Sequence, residues 1–162
     1  MLYIFPTDLE AQHFREISPD SRVVISGVGM VAIATTIMRL VSSGDITPAT
    51  TVILTGVAGS YGESIAVGDV VEVTEESCAE LPSRFQVRYC VEPSTTLRNV
   101  VSNTVHSGSA MQGAAFFALA KECGFRAVQI RAISNRVGDS FENWHLDEAL
   151  GALAKVLQTL TL

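Results

Sequence analysis

The chain has 162 residues, 48% of them apolar and 17% charged, with a net charge of −6. That length and apolar fraction suit one globular domain with a real core. The acidic balance without a Lys/Arg cluster argues against nucleic acid or an anionic membrane surface as partner. No apolar run is long enough to span a bilayer, and the opening Met1-Leu-Tyr-Ile-Phe-Pro6 lacks the basic flank and long apolar region of a secretory signal, so a cytoplasmic protein is expected. Cys78, Cys90 and Cys123 are odd in number and lack zinc-type spacing, which implies reduced thiols and no metal site.

In chain order, Leu2 to Phe5 reads as a short strand stopped by Pro6. Thr7-Asp-Leu-Glu10 has the form of a capping box opening a helix to about Ile17. Arg22 to Ser26 is a second strand, and Gly27-Val-Gly29 turns the chain into a helix from about Met30 to Ser43. Ile33, Ile37, Leu40 and Val41 form the apolar stripe of that helix, and Gly44 stands at its C-cap. Thr51 to Leu54 is a β-branched strand expected inside the sheet, breaking at the glycine-rich Thr55-Gly-Val-Ala-Gly-Ser60.

Gly68 to Thr74 is the next strand, followed by acidic Glu75 and Glu76. Gln86 to Val91 and Leu97 to Val105 read as further strands, and Met111 to Glu122 as a helix ended by Cys123-Gly124. Ala127 to Ile133 is a strand with Val128, Ile130 and Ala132 on one face; at Ser134 and Asn135 it turns polar, and on that segment alone a turn is the simpler reading. Asn143 is placed to cap a last helix bearing Leu146, Leu150, Leu153 and Leu157. Strands alternating with helices predict a three-layer α/β domain over residues 1–162, a central mixed sheet flanked by helices.

Several segments carry chemistry as well as structure. Gly27-Val-Gly29-Met-Val-Ala32 fits the dinucleotide fingerprint, but the next strand closes on Thr55 and Gly56 where an acidic residue should stand, so a nicotinamide cofactor is not expected. Small residues at 55–60 let backbone amides approach a ligand, or simply make a packing turn. Glu10 completes a cap, or as a carboxylate near strand ends could deprotonate water. Gln112, in the first turn of its helix, is either a capping residue or a hydrogen-bonding partner for sugar hydroxyls. Asn135 offers a donor and an acceptor to a planar heterocycle at a strand end, where open α/β sheets bind ligands. His106 and His145 receive no role.

Taken in order, Ser26-Gly-Val-Gly-Met-Val-Ala32, Thr55-Gly-Val-Ala-Gly-Ser60 with Val67-Gly-Asp-Val70, Met111-Gln-Gly-Ala-Ala115 and Arg131-Ala-Ile-Ser-Asn135 resemble the purine nucleoside phosphorylase/nucleosidase superfamily. Within it, Ile130 to Gly138 followed by Asn143-Trp-His-Leu146 most resembles the futalosine hydrolase branch. The resemblance implies a phosphorylase/hydrolase-like fold and cleavage of a purine nucleoside without cofactor, in a homo-oligomer, with futalosine and menaquinone synthesis as the implied context. It implies that Glu10 positions the attacking water and Asn135 faces the leaving base. It also implies that Val57, Ala58 and Gly59 line the site beside Ser134, and that Met111 and Gln112 contact the ribose.

Two departures stand out. Gln112 is neutral where the family usually has Glu, and only His106 to Ala110 join the strand ending near Val105 to the Met111 segment, where relatives carry a helix-length insertion. Neither glycine segment carries an Arg to replace the hydration of phosphate, which favours water as nucleophile. An amide at 135 cannot protonate a leaving base. A 6-oxopurine such as hypoxanthine, which delocalises charge onto its oxygen, is therefore the expected leaving group.

Overall fold

A computed structural model of the chain describes residues 1–78, 88–104 and 112–161. Among them run, in order, β1 (Leu2–Phe5), α1 (Asp8–Ile17), β2 (Val23–Ile25), α2 (Met30–Ser42), β3 (Thr51–Ser60), β4 (Val70–Cys78), β5 (Arg88–Cys90), β6 (Arg98–Thr104), α3 (Gly113–Cys123), β7 (Arg126–Arg136), a 3₁₀ turn (Phe141–Asn143) and α4 (Leu146–Thr159). The strands form one mixed seven-stranded sheet in the order β2-β1-β3-β7-β4-β5, with β6 also paired to β4. β2, β1, β3 and β7 are mutually parallel, and β4 runs antiparallel to β7.

Both faces of the sheet are covered, as a parallel sheet requires. On one face Leu2, Ile4, Val52 and Leu54 pack under Ile33, Ile37 and Leu40 of α2 and Phe116, Phe117 and Ala120 of α3. On the other, Tyr3, Phe5, Ile53, Val128, Ile130 and Ala132 meet Ala11 and Phe14 of α1 and Leu150, Leu153 and Leu157 of α4. This is the expected three-layer α/β arrangement. The stripes of α2 and α4 bury as their helical spacing predicts, and Gly44 takes the positive φ (77°) that a helix stop there demands.

Several boundaries differ from the sequence reading. The glycine-rich 55–60 segment is strand, because β3 stays hydrogen-bonded to β7 as far as Ser60. Ser134 and Asn135 likewise form no turn: β7 continues to Arg136. Between Ala58 and Gly59 the register slips, so that Ala58 pairs with Ile133 and Gly59 with Asn135. Ser134 is the extra residue of this bulge, which sets Asn135 opposite a glycine.

Glu75 and Glu76 lie within β4, because the pairing with β5 and β6 carries it to Cys78. Asn143 ends the 3₁₀ turn and does not cap α4; His145 stands at that cap, its N–H donating to the carbonyl of Ser134 in β7 at 2.8 Å. The helix expected from Met111 begins at Gly113, with Gln112 at its N-cap. β5 and β6 are shorter than the stretches expected for them, within which Gln86, Val87 and Val105 lie outside the described residues, as do Met111 and the connector 106–110.

Candidate active site

β1 ends at Phe5, Pro6 breaks it, and Thr7 caps α1, accepting from the Glu10 N–H at 3.2 Å. This brings the Glu10 side chain back over the carboxyl ends of β1 and β3. The expected box is only half formed. The Glu10 carboxylate reaches no backbone N–H of its own turn: Oε2 accepts from the Thr7 hydroxyl at 2.8 Å, and Oε1 from the Val57 N–H of β3 at 3.0 Å. Only 7% of Glu10 is exposed. The Glu10 side chain is therefore held from two elements, α1 and β3.

Gly56 makes room for this. A Cβ at that position would stand 2.6 Å from Glu10 Oε1 and 3.0 Å from Arg131 Nη1. The carboxylate and the guanidinium thus converge on the space that a missing side chain leaves. Arg131 is a β7 residue with 1% exposure, and burial pulls its guanidinium below the ordinary arginine value. Glu10 and Glu76 oppose that pull. A buried charge needs this compensation, since burying an ion alone costs several kcal/mol.

Beside Arg131 opens a cavity of about 200 Å³ at the ends of the strands. Ala58 and Gly59 form one side, Val73, Val100 and Ser102 another, and Gln129, Arg131 and Ile133 of β7 the third. Glu10 and Val57 face a second hollow of about 320 Å³, lined chiefly by apolar groups that include Val28, Phe141, Trp144 and Leu146. Glu10 borders the second space and Arg131 the first, and both side chains approach Gly56.

Asn135 packs against the backbone of Gly59, where a Cβ would come within 3.0 Å of its Nδ2. Its Oδ1 accepts from the Ser134 hydroxyl at 2.8 Å, and its Nδ2 donates to the Arg136 carbonyl at 2.7 Å. Each amide atom keeps one further hydrogen-bonding position. Gln112 is fully buried and turned elsewhere. Its Nε2 donates to Ser26 Oγ at 3.2 Å and to the Gly27 carbonyl at 2.5 Å, tying α3 to the first glycine segment.

The structure therefore sets Glu10 of α1 against Val57, and places Val57, Ala58, Gly59, Ser134 and Asn135 on the paired ends of β3 and β7, with Asn135 outside the lining of both cavities. It sets Gln112 against Gly27, with its Oε1 unpartnered among the described residues. Met111 lies outside the described residues. The sequence reading missed three buried polar side chains: Arg131, Gln129 and Glu76. Gln129 Nε2 donates to Glu76 Oε1 at 2.9 Å. Burial pushes the Glu76 carboxyl up to about 7, against the lowering effect of Gln129, Arg131 and Ser102. One signal was available: Gln129 and Arg131 share a face of a strand whose other face is Val128, Ile130 and Ala132.

The fold and this cluster define an α/β protein with buried polar side chains beside a cavity at its strand ends. Residues 16–110 match the family model of the Phosphorylase superfamily, and the chain belongs to that family. Futalosine hydrolase of Thermus thermophilus is 27% identical to it, the match covering 98% of this chain and 94% of the relative. That alignment runs over 212 positions, so the Thermus enzyme carries segments this 162-residue chain lacks.

Among solved structures, futalosine hydrolase of Helicobacter pylori superposes with a TM-score of 0.77 at 14% identity, covering 96% of this chain and 94% of its own. The 5′-methylthioadenosine/S-adenosylhomocysteine nucleosidase of the same organism gives 0.76 at 15%, covering 97% and 95%. At such identities these two likenesses establish the shared fold.

Proposed function

We propose that the chain is an N-ribosyl hydrolase of purine nucleosides, releasing hypoxanthine from a futalosine-like substrate in menaquinone synthesis. The observation that carries this reading is the Glu10 carboxylate, held by Thr7 and Val57 at the wall of the 320 Å³ hollow. The Thermus relative supports it. In the proposed reaction, water bound at Glu10 attacks C1′ of the sugar and loses a proton to the carboxylate. The C1′–N9 bond breaks through an oxocarbenium-like state, as in glycoside hydrolysis. The base departs as an anion delocalised onto its 6-oxygen and takes a proton from solvent. Asn135 steadies that anion by hydrogen bonding, since an amide has no proton to transfer.

Water is favoured over phosphate by the surroundings of Arg131. This buried guanidinium is already balanced by Glu10 and Glu76, and a phosphate dianion would have to displace those carboxylates. Ala58 and Gly59 line the cavity as the expected backbone wall. Leu9, Val28, Val31 and Phe141 are large apolar side chains left exposed, and Leu9, Val28 and Phe141 border the hollow at Glu10. We take a second copy of the chain to cover them.

A second reading, a nucleoside-binding homologue without turnover, is favoured by the orientation of Gln112, whose amide nitrogen is committed to Ser26 and Gly27. Incubation with futalosine, inosine and methylthioadenosine, with and without phosphate, separates the readings. Phosphate-independent hypoxanthine release supports the hydrolase. Phosphate-dependent release makes the protein a phosphorylase, and binding measured by calorimetry without turnover supports the second reading.

A further inference from the structure

The segment that follows β3 is curled around one arginine. Arg136, the last residue of β7, sends Nη1 to three oxygens of that segment: the Ser60 hydroxyl, the Gly62 carbonyl and, at 2.7 Å, the Ile65 carbonyl. The Ser60 hydroxyl lies 3.2 Å from both carbonyls and donates its one proton between them. Carbonyls in a curled loop have no ladder to pair with, so they need a donor from outside the segment or from water. A guanidinium fills that need firmly, because hydrogen bonds from an ionised donor are roughly twice as strong as neutral ones. Further ties fix the same loop. The Val137 N–H donates to the Ser60 carbonyl at 3.0 Å, the Gly68 N–H to the Ile133 carbonyl at 2.8 Å, and Arg98 Nη1 of β6 to the Ser64 carbonyl at 2.5 Å.

This loop is a wall of the 200 Å³ cavity: Ser60, Tyr61, Gly62, Ser64 and Ile65 all line it, together with β7. Arg136 also steadies its neighbour Asn135. The Arg136 carbonyl can only accept, so the Asn135 amide turns Nδ2 toward it, at 2.7 Å. Asn135 in turn packs on Gly59, another residue of the cavity lining. A wall that is already ordered spares a ligand the cost of ordering it on binding.

We propose that Arg136 is a positioning residue whose guanidinium closes the Ser60–Ile65 loop against β7 as a fixed wall of the cavity, and so sets how tightly the cavity holds its ligand. The inference rests on the nucleoside reading above for the identity of that ligand. The guanidinium itself performs no chemistry, so its loss acts on affinity far more than on turnover.

The test compares full-length wild type with Arg136→Ala and Arg136→Lys. One arm digests the folded proteins with chymotrypsin and follows the cut at Tyr61–Gly62 by mass spectrometry; the other measures inosine affinity by calorimetry, and kcat where turnover occurs. Arg136→Ala should be cut several times faster and bind inosine at least about tenfold more weakly, as for loss of hydrogen bonds to a charged group, with kcat falling much less. Low-millimolar guanidinium chloride, against the same concentration of sodium chloride, should slow the cut and restore much of the affinity. Arg136→Lys keeps the charge without the planar fork of donors and should also be cut faster and bind more weakly. It decides the matter if circular dichroism shows Arg136→Ala unfolded.

A role confined to folding would lower the melting temperature but leave the affinity of the folded variant unchanged and unresponsive to guanidinium. That result, a cut at the wild-type rate, or a loss confined to kcat overturns the proposal while leaving nucleoside binding intact. If wild type binds no inosine, the nucleoside reading fails and the ligand half of this inference with it, while the protease arm still decides whether Arg136 holds the loop.

Discussion

Glu10 Oε1 accepts a 3.0 Å hydrogen bond from the Val57 N–H across 47 residues of sequence, joining the first turn of α1 to the end of β3. The bond fixes the carboxylate against a strand and leaves its rotamer little freedom. That is what a group positioning water requires, since small misplacements of a reacting group are costly.

Gly56 tests the packing behind that relationship. Its φ is +149°, and a Cβ would press on both Glu10 Oε1 and Arg131 Nη1. Gly56→Ala should therefore destabilise the protein by about 1–3 kcal/mol, the usual cost of overpacking. It should also lower base release more than tenfold, a fall larger than any loss of folded protein explains. Denaturant unfolding and kcat/KM on the same preparation check this; an active variant of wild-type stability contradicts it.

Glu76 predicts a pH dependence of stability. Its carboxyl titrates at about 7 in the folded protein, against an ordinary value of 4.5. Between those values the native state holds a proton that the unfolded chain has lost, so this group makes stability fall as pH rises from about 4.5 to about 7 and adds nothing further above. Arg131 and Tyr61 are the titratable groups facing it among the described residues. In Glu76→Gln that slope should flatten. Urea unfolding of both proteins at pH 5 and pH 7.5 shows it, and parallel curves refute it.

On the proposed function, Asn135 sets the choice of base. Asn135→Asp introduces a group able to protonate a leaving adenine, and general acid catalysis typically contributes 10²–10⁴-fold. The ratio of adenine release from methylthioadenosine to hypoxanthine release from inosine should rise at least about tenfold. Chromatography of the released bases measures it. An unchanged ratio removes Asn135 from contact with the base.

The amphipathic helices and the parallel strands were legible because apolar spacing alone specifies them: Ile33, Ile37 and Leu40 could only face a core, as could Leu150, Leu153 and Leu157. The paired ends of β3 and β7 were not. Glycines at 56 and 59 and the polar Ser134–Asn135 carry turn-like chemistry, and only the ladder between the two strands, with its bulge, keeps them extended. Local propensity cannot report a partner strand 70 or more residues away.

Glu10 was singled out because the capping pattern and the family resemblance both point to that position. Arg131 and Glu76 were overlooked for the opposite reason. Charged residues read singly suggest a solvated face, and their burial becomes tolerable only when the fold sets one against the other.

The most direct test of the account is base release from inosine and futalosine, without phosphate, by wild type and Glu10→Gln. The account predicts hypoxanthine release by wild type and a loss of at least about 10²-fold in kcat for the variant, within the range expected for a general base. The variant should stay folded by circular dichroism, with a lower melting temperature because Arg131 loses part of its compensation. A folded Glu10→Gln protein that releases hypoxanthine at the wild-type rate would reduce Glu10 to a helix cap and contradict the account.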